Sequence, residues 1–164
     1  MNLAVHVART AGGAYRVMEI SEVTLADEGG KTKDIEVLTE AVRRNLARAI
    51  TTKYSSEEGE VSVMSLHPAL EELVANSLLQ TEQGVQLVMD PSTAHKLINE
   101  VAKQVERHPE IAGQPILLTS PTSRRHLYKL ISRFIPQIIV LSHNELSGEA
   151  RVRSVSLVEL RNAG

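Results

Sequence analysis

The sequence predicts an α/β fold: a C-terminal, mostly parallel β-α-β layer preceded by a small helical subdomain. Three observations lead there. Short apolar runs at 61–66, 85–89 and 116–119 each end in a polar residue and a proline, at His67-Pro68, Asp90-Pro91 and Ser120-Pro121, and a helix-like stretch follows each time. Ahead of them, Ile35, Leu38, Val42, Leu46, Ala49 and Ile50 recur at three- and four-residue steps, the period of one helix face. Hydrophobic residues make up 42% of the chain and aromatic residues only 2%, so a core is affordable but must be built from Leu, Ile and Val.

Residues 1–33 form an N-terminal segment in which Val5, Val7, Val17, Ile20 and Val23 suggest strand-like or mixed structure, interrupted at Gly12-Gly13 and Gly29-Gly30. The helical subdomain spans 34–58. Asp34 caps its start through its carboxylate, and Arg43, Arg44 and Arg48 fall mostly off the apolar face. The polar run 55–60 marks the boundary to an α/β subdomain at 59–164. Within it, each proline suits a first helical position, where no N–H is needed and φ is already helical. Asp90 and Ser120 are good N-caps before their prolines. A fourth strand is expected at 138–141 and a last one through Val152, Val155, Leu157 and Leu160. Strands alternating with helices imply right-handed crossovers and a largely parallel sheet. The short turn near Ser147-Gly148 suggests that the last strand pairs antiparallel at an edge.

With 164 residues the chain suits one domain, or one domain with a helical annex. Its net charge of −2 gives no argument for nucleic acid or an anionic membrane. There is no cysteine, which excludes disulfides, zinc–thiolate sites and thiol catalysis. No apolar run approaches the ~18 residues of a membrane span, and the first residues lack the pattern of a signal peptide. The chain is therefore expected to be soluble as given.

Parallel strands direct their carboxyl ends to one edge, where open α/β folds place ligands. That edge would carry His67, Asp90, Ser120 and His143-Asn144, which invites a small hydrolase using Ser120, His143 and Asp90. Against it, Ser120 lacks the Gly-x-Ser-x-Gly elbow that would expose its hydroxyl, and capping already accounts for Asp90 and Ser120. No enzyme activity is expected. No metal is expected either: His95 and His108 stand thirteen apart, His126 and His143 have no carboxylate at ligand spacing, and no His-x-x-x-His pair occurs. Neither Gly-x-Gly-x-x-Gly nor a P-loop is present, so no phosphate-bearing cofactor is expected.

The most unusual stretch is a helix expected over 121–135. Arg125, Lys129 and Arg133 fall at four-residue spacing with Arg124 alongside, and the stretch holds no acidic residue. Leu127, Leu130, Ile131 and Phe134 make its buried face. Such a stripe is either a solvated surface or a docking face for an acidic partner or a neighbouring subunit. Nucleic acid is disfavoured for want of stacking aromatics and an overall basic balance.

Several blocks are specific enough to carry a family resemblance. They are DIEVLTEAVRRNLARAI at 34–50, Thr81-Glu82-Gln83-Gly84, Met89-Asp90-Pro91, the stretch from Gln114 to Pro121, and Arg133-Phe134-Ile135-Pro136-Gln137 leading into Val140-Leu141-Ser142-His143-Asn144-Glu145-Leu146. In this order and spacing, over roughly residues 22–160, they resemble the cytosolic domain of the bacterial export-gate family called FlhA in flagella, with counterparts in virulence type III secretion. Residues 1–20 do not share the likeness. His67 stands where the family often has Asp, and Ser147-Gly148 replaces a proline-containing turn. The resemblance implies a docking platform for export chaperones and their substrates and for other export-apparatus proteins. It also implies a homo-oligomeric ring, typically of nine, at the cytoplasmic face of the inner membrane. It assigns Thr39 to a shallow chaperone-binding depression, and Val42 joins it as a neighbour at helical spacing. The competing reading from a different class is a free-standing interaction adaptor on the same fold.

Overall fold

The computed structural model describes residues 14–161, with side chains from residue 22 onward. The chain divides into two compact units. One runs to Val61 and takes in Asn144–Arg151; the other comprises Ser62–His143 and the chain from Val152.

The first unit is helical: α1 (Ala14–Gly29), α2 (Ile35–Asn45) and α3 (Ala47–Tyr54). Asp34 caps α2 as expected, its carboxylate accepting from the Glu36 N–H at 2.9 Å and the Val37 N–H at 3.4 Å. Glu36 in the first turn and Arg43 and Arg44 in the last complement the helix dipole. The period read as one helix runs through two. The chain breaks at Leu46, whose N–H bonds to the carbonyls of both Val42 and Arg43, yet Val42, Leu46 and Ile50 all stay buried. Asn45 reaches back to the Thr24 hydroxyl at 2.9 Å, tying α2 to α1.

The segment Asn144–Arg151 is bound into this unit by polar contacts. Glu145, only 1% exposed, receives the Arg43 guanidinium. The Thr51 hydroxyl accepts from the Ser147 N–H at 2.8 Å and lies 3.3 Å from the Glu145 carbonyl.

The second unit is built on a four-stranded sheet in the order β5-β4-β1-β6. Its strands are β1 (Glu60–Leu66), β4 (Ile116–Thr119), β5 (Ile139–Ser142) and β6 (Arg151–Val158). β1 pairs parallel with β4 through Met64↔Leu117, and β4 with β5 through Leu117↔Val140. β4 lies inside the sheet and every one of its residues is buried, which is why it reads as an unbroken apolar run. The helices are α4 (Pro68–Asn76), α5 (Pro91–Arg107), the one-turn α6 (Pro109–Ala112) and α7 (Arg124–Ile131). Leu70, Leu97, Val101, Leu127 and Ile131 join Met64, Leu117 and Val140 in one aliphatic core. A separate antiparallel hairpin joins β2 (Leu78–Thr81) to β3 (Gly84–Leu87).

Five expectations are corrected. Ala14–Gly29 is a helix, not strand-like or mixed structure; Val5, Val7 and Gly12-Gly13 lie outside the described residues. The run at 85–89 enters the hairpin and not the parallel sheet, because a two-residue turn at Glu82-Gln83 pairs it with 78–81 first. Gly84 serves that turn with φ of +100°, a conformation side-chain-bearing residues rarely adopt. β6 runs parallel to β1: the Arg151 N–H meets the Gly59 carbonyl at one end and the His67 N–H meets the Val158 carbonyl at the other. Ser120 is not an N-cap; a turn intervenes and α7 begins at Arg124. Asn144–Arg151 returns to the helical unit, which a boundary drawn once, near residue 59, left out.

Candidate functional site

The expected docking residues fall on both units. On α2, Thr39 is half-buried, while Val42 is 3% exposed and packs inward. Val42 thus presents no side chain to a partner here. Ile35, one turn before Thr39 on the same helix face, is 78% exposed. It fits the apolar period of that helix face. As the first residue of α2 it escapes the packing that buries Leu46 and Ile50.

On the second unit the basic helix is shorter than expected and its charges part company. Arg124 is buried, with Nη1 lying 3.5 Å from the Val140 carbonyl. Arg125 is half-buried and its Nε approaches His126 Nε2 at 3.2 Å. Only Lys129 and Arg133 are exposed, and Arg133 lies beyond the end of α7. Phe134, expected inside, is 59% exposed; its ring meets His95 edge-on with centroids 6.3 Å apart. The cause is the end of the helix at Ile131, after which the period of three and four no longer predicts direction.

Lys129 and Arg133 line a hollow of about 350 Å³. Val85, Gln86 and Leu87 of β3 form one side of it, and His126, Lys129, Leu130 and Arg133 the other. The basic wall is legible in the four-residue spacing of Arg125, Lys129 and Arg133. The apolar side was missed because it depends on the hairpin.

The residues of the hydrolase reading have other partners. The Ser120 hydroxyl lies 3.0 Å from that of Ser123 and 3.3 Å from that of Thr122, and its N–H donates to Glu71 at 2.8 Å. Asp90 follows the hairpin, outside the four-stranded sheet, and caps α5 by accepting from the N–H groups of Ser92 at 3.0 Å and Thr93 at 3.1 Å. Hydrogen bonding by the Ser92 side chain, then by the Thr93 N–H, holds its carboxyl below the usual range. His67 Nδ1 accepts from the Ala69 N–H at 3.2 Å and caps α4. Neither Asp90 nor His143, which is exposed, is among the hydrogen-bond partners of Ser120. Among the described residues no three His, Asp or Glu side chains gather as a metal site. No described helix is long and apolar enough to cross a membrane.

The family model described as FHIPEP family matches residues 16–151. The chain belongs to the FHIPEP family. Among its curated relatives, the flagellar biosynthesis protein FlhA of Bacillus subtilis is 34% identical over 84% of this chain and 20% of its own length. The low calcium response locus protein D of Yersinia pestis is 28% identical over 82% of this chain and 19% of its own. The chain therefore spans about a fifth of the FHIPEP relatives it matches. Among solved structures, the Chlamydia pneumoniae CdsV protein superposes with a TM-score of 0.80 at 27% identity, covering 92% of this chain and 43% of that one. The nonameric EPEC SctV-C, solved by cryo-EM, gives 0.75 at 26% identity, covering 86% and 42%. CdsV in its complex with CdsO gives 0.75 at 31% identity, covering 87% and 42%. The mostly parallel α/β layer with its preceding helices is thus the fold of the part of these solved chains that this FHIPEP chain superposes on.

Proposed function

We propose that this chain is part of the cytosolic docking platform of a flagellar or type III protein-export gate. It receives substrate–chaperone complexes, contacts other export-apparatus proteins and stands beside copies of itself in a ring. The observation that supports this best is the likeness to CdsV over 92% of the chain, since relatives of that fold are solved as nonamers and in complex with CdsO. In this reading the platform lies at the cytoplasmic face of the inner membrane and performs no catalysis. Thr39, with exposed Ile35 one turn before it, offers one docking point on the helical unit. Lys129 and Arg133, with Arg125 behind them, offer a basic one on the α/β unit.

The test is retention of purified secretion chaperones, with and without substrate, on this chain immobilised beside a full cytosolic domain of a relative. Retention by both, weakened by Thr39→Asp, supports docking through the helical unit. Retention by the full domain alone moves chaperone docking out of this part of the platform.

A further inference from the structure

We propose that the hollow between β3 and α7 receives an extended acidic peptide segment as a third strand on the β2–β3 hairpin. The inference names a partner class for the basic surface and rests on the docking reading above.

Successive strand residues point to opposite faces of a sheet. Val85, Gln86 and Leu87 are consecutive and all line the hollow, so it runs along the edge of β3 and not over one face. Among the described residues that edge has no neighbouring strand, because the hairpin is a two-stranded sheet.

Register then says which backbone groups face it. In an antiparallel pair, hydrogen-bonded and non-bonded residue pairs alternate. The Val88 N–H bonds to the Ser77 carbonyl at 2.8 Å, one step beyond the Leu78↔Leu87 pair. Even-numbered residues of β3 therefore bond toward β2. The N–H and C=O groups of Val85 and Leu87 turn the other way, into the hollow, and are spaced as an incoming strand requires.

Side chains set the chemistry of the occupant. Lys129 and Arg133 stand on the opposite wall, Leu87 and Leu130 supply apolar surface, and among the described residues no carboxylate lines the hollow. A strand alternating apolar and acidic side chains places one set against Leu87 and Leu130 and the other toward the two cations. Cations beside a free edge also occur as guards against strand pairing. A guarded edge binds no peptide, and that difference is measurable.

The experiment is a titration of the isotope-labelled full chain, followed by amide NMR and hydrogen exchange. The probes are a capped peptide of alternating Glu and Leu, its Lys-for-Glu counterpart, and tripolyphosphate. The expected result is that only the acidic peptide shifts the amides at 85–87 and slows exchange at Val85 and Leu87. Lys129→Glu with Arg133→Glu weakens binding about tenfold or more, with the thermal transition unchanged. Val85→Pro removes one outward N–H while leaving the bonds to β2, and it weakens binding as well. Absence of shifts, equal binding of tripolyphosphate, or full binding by Val85→Pro overturns the proposal. Chaperone retention alongside a failed titration leaves the export reading standing. A bound peptide with no chaperone retained moves chaperone docking out of this chain and keeps the strand site.

Discussion

Replacing Arg43 with Met should cost more than any other single change at a charged residue of the helical unit. Glu145 is 1% exposed and Arg43 Nε is its salt-bridge partner; the arginine side chain is itself only 18% exposed. Without Arg43, Glu145 keeps its other interactions but loses its cation in a medium that solvates charge poorly, and breaking such a buried pair costs roughly 3–5 kcal/mol. Met keeps most of the aliphatic stem, so the loss reports charge more than packing. The lower end, about 3 kcal/mol, is expected because the arginine keeps some contact with water. In a chain of this size that corresponds to a fall in Tm of roughly 6–12 °C. The drop should appear in the transition of the helical unit, since two compact units need not unfold together. Hydrogen exchange should quicken in α2 and in 144–151 before it does in the β4 core. Removing both charges with Arg43→Met and Glu145→Leu should recover much of the loss, because no buried charge is left alone. A single-variant loss below about 1 kcal/mol, the value of an exposed pair, would refute the reasoning. So would a double variant no better than the single.

Leu117 is fully buried at the middle of the sheet, so Leu117→Ala should cost about 2–5 kcal/mol in urea unfolding followed by circular dichroism. Gly84→Ala meets open space but a φ of +100°, so its cost of about 1–2 kcal/mol should be conformational, read as a lower urea midpoint at unchanged m-value. The Asp90 carboxyl is held below its ordinary range in the fold, so its stabilisation is present above the unfolded pKa and is lost as pH falls through the folded one. Asp90→Asn keeps a capping oxygen without that titration, and the stability profile below about pH 4 should become shallower than in the parent chain.

Local chemistry in this chain is readable wherever a residue acts on its own neighbours. Asp34 and Asp90 cap the helices they precede, and Pro68 and Pro91 begin theirs. The apolar run of β4 announces a strand covered on both faces. What the sequence does not carry is the identity of a strand's partner. The run at 85–89 has the same apolar, polar, proline grammar as β1 with its Pro68, and that grammar is satisfied equally in a parallel sheet and in a hairpin. The deciding feature is four residues away: Leu78–Thr81 is too short and too mixed to read as a strand until Thr81 and Gly84 close on each other. β6 poses the same problem in another form. A short turn permits antiparallel return, but Asn144–Arg151 is captured by Arg43 and Thr51, a hundred residues earlier in the chain, and the strand then leaves in the parallel sense.

The proposed docking surfaces inherit this division. Four-residue spacing predicts a basic stripe over 121–135, because it is a local property of a helix, although α7 ends at Ile131 and leaves Arg133 beyond it. Whether Arg125 lies half under the surface and Lys129 beside a hollow depends on where the hairpin is placed. The missed residues, Val85 and Leu87, are ordinary strand aliphatics in sequence, and their proposed role comes from the backbone edge they present, which no side-chain pattern encodes. Ile35 is the complementary case: its period says core, and only the helix end that Asp34 fixes turns it outward. Positions that obey the local pattern and yet stay exposed are therefore where a partner is to be sought in this chain. Ile35 on α2 and Phe134 beyond α7 both meet that description.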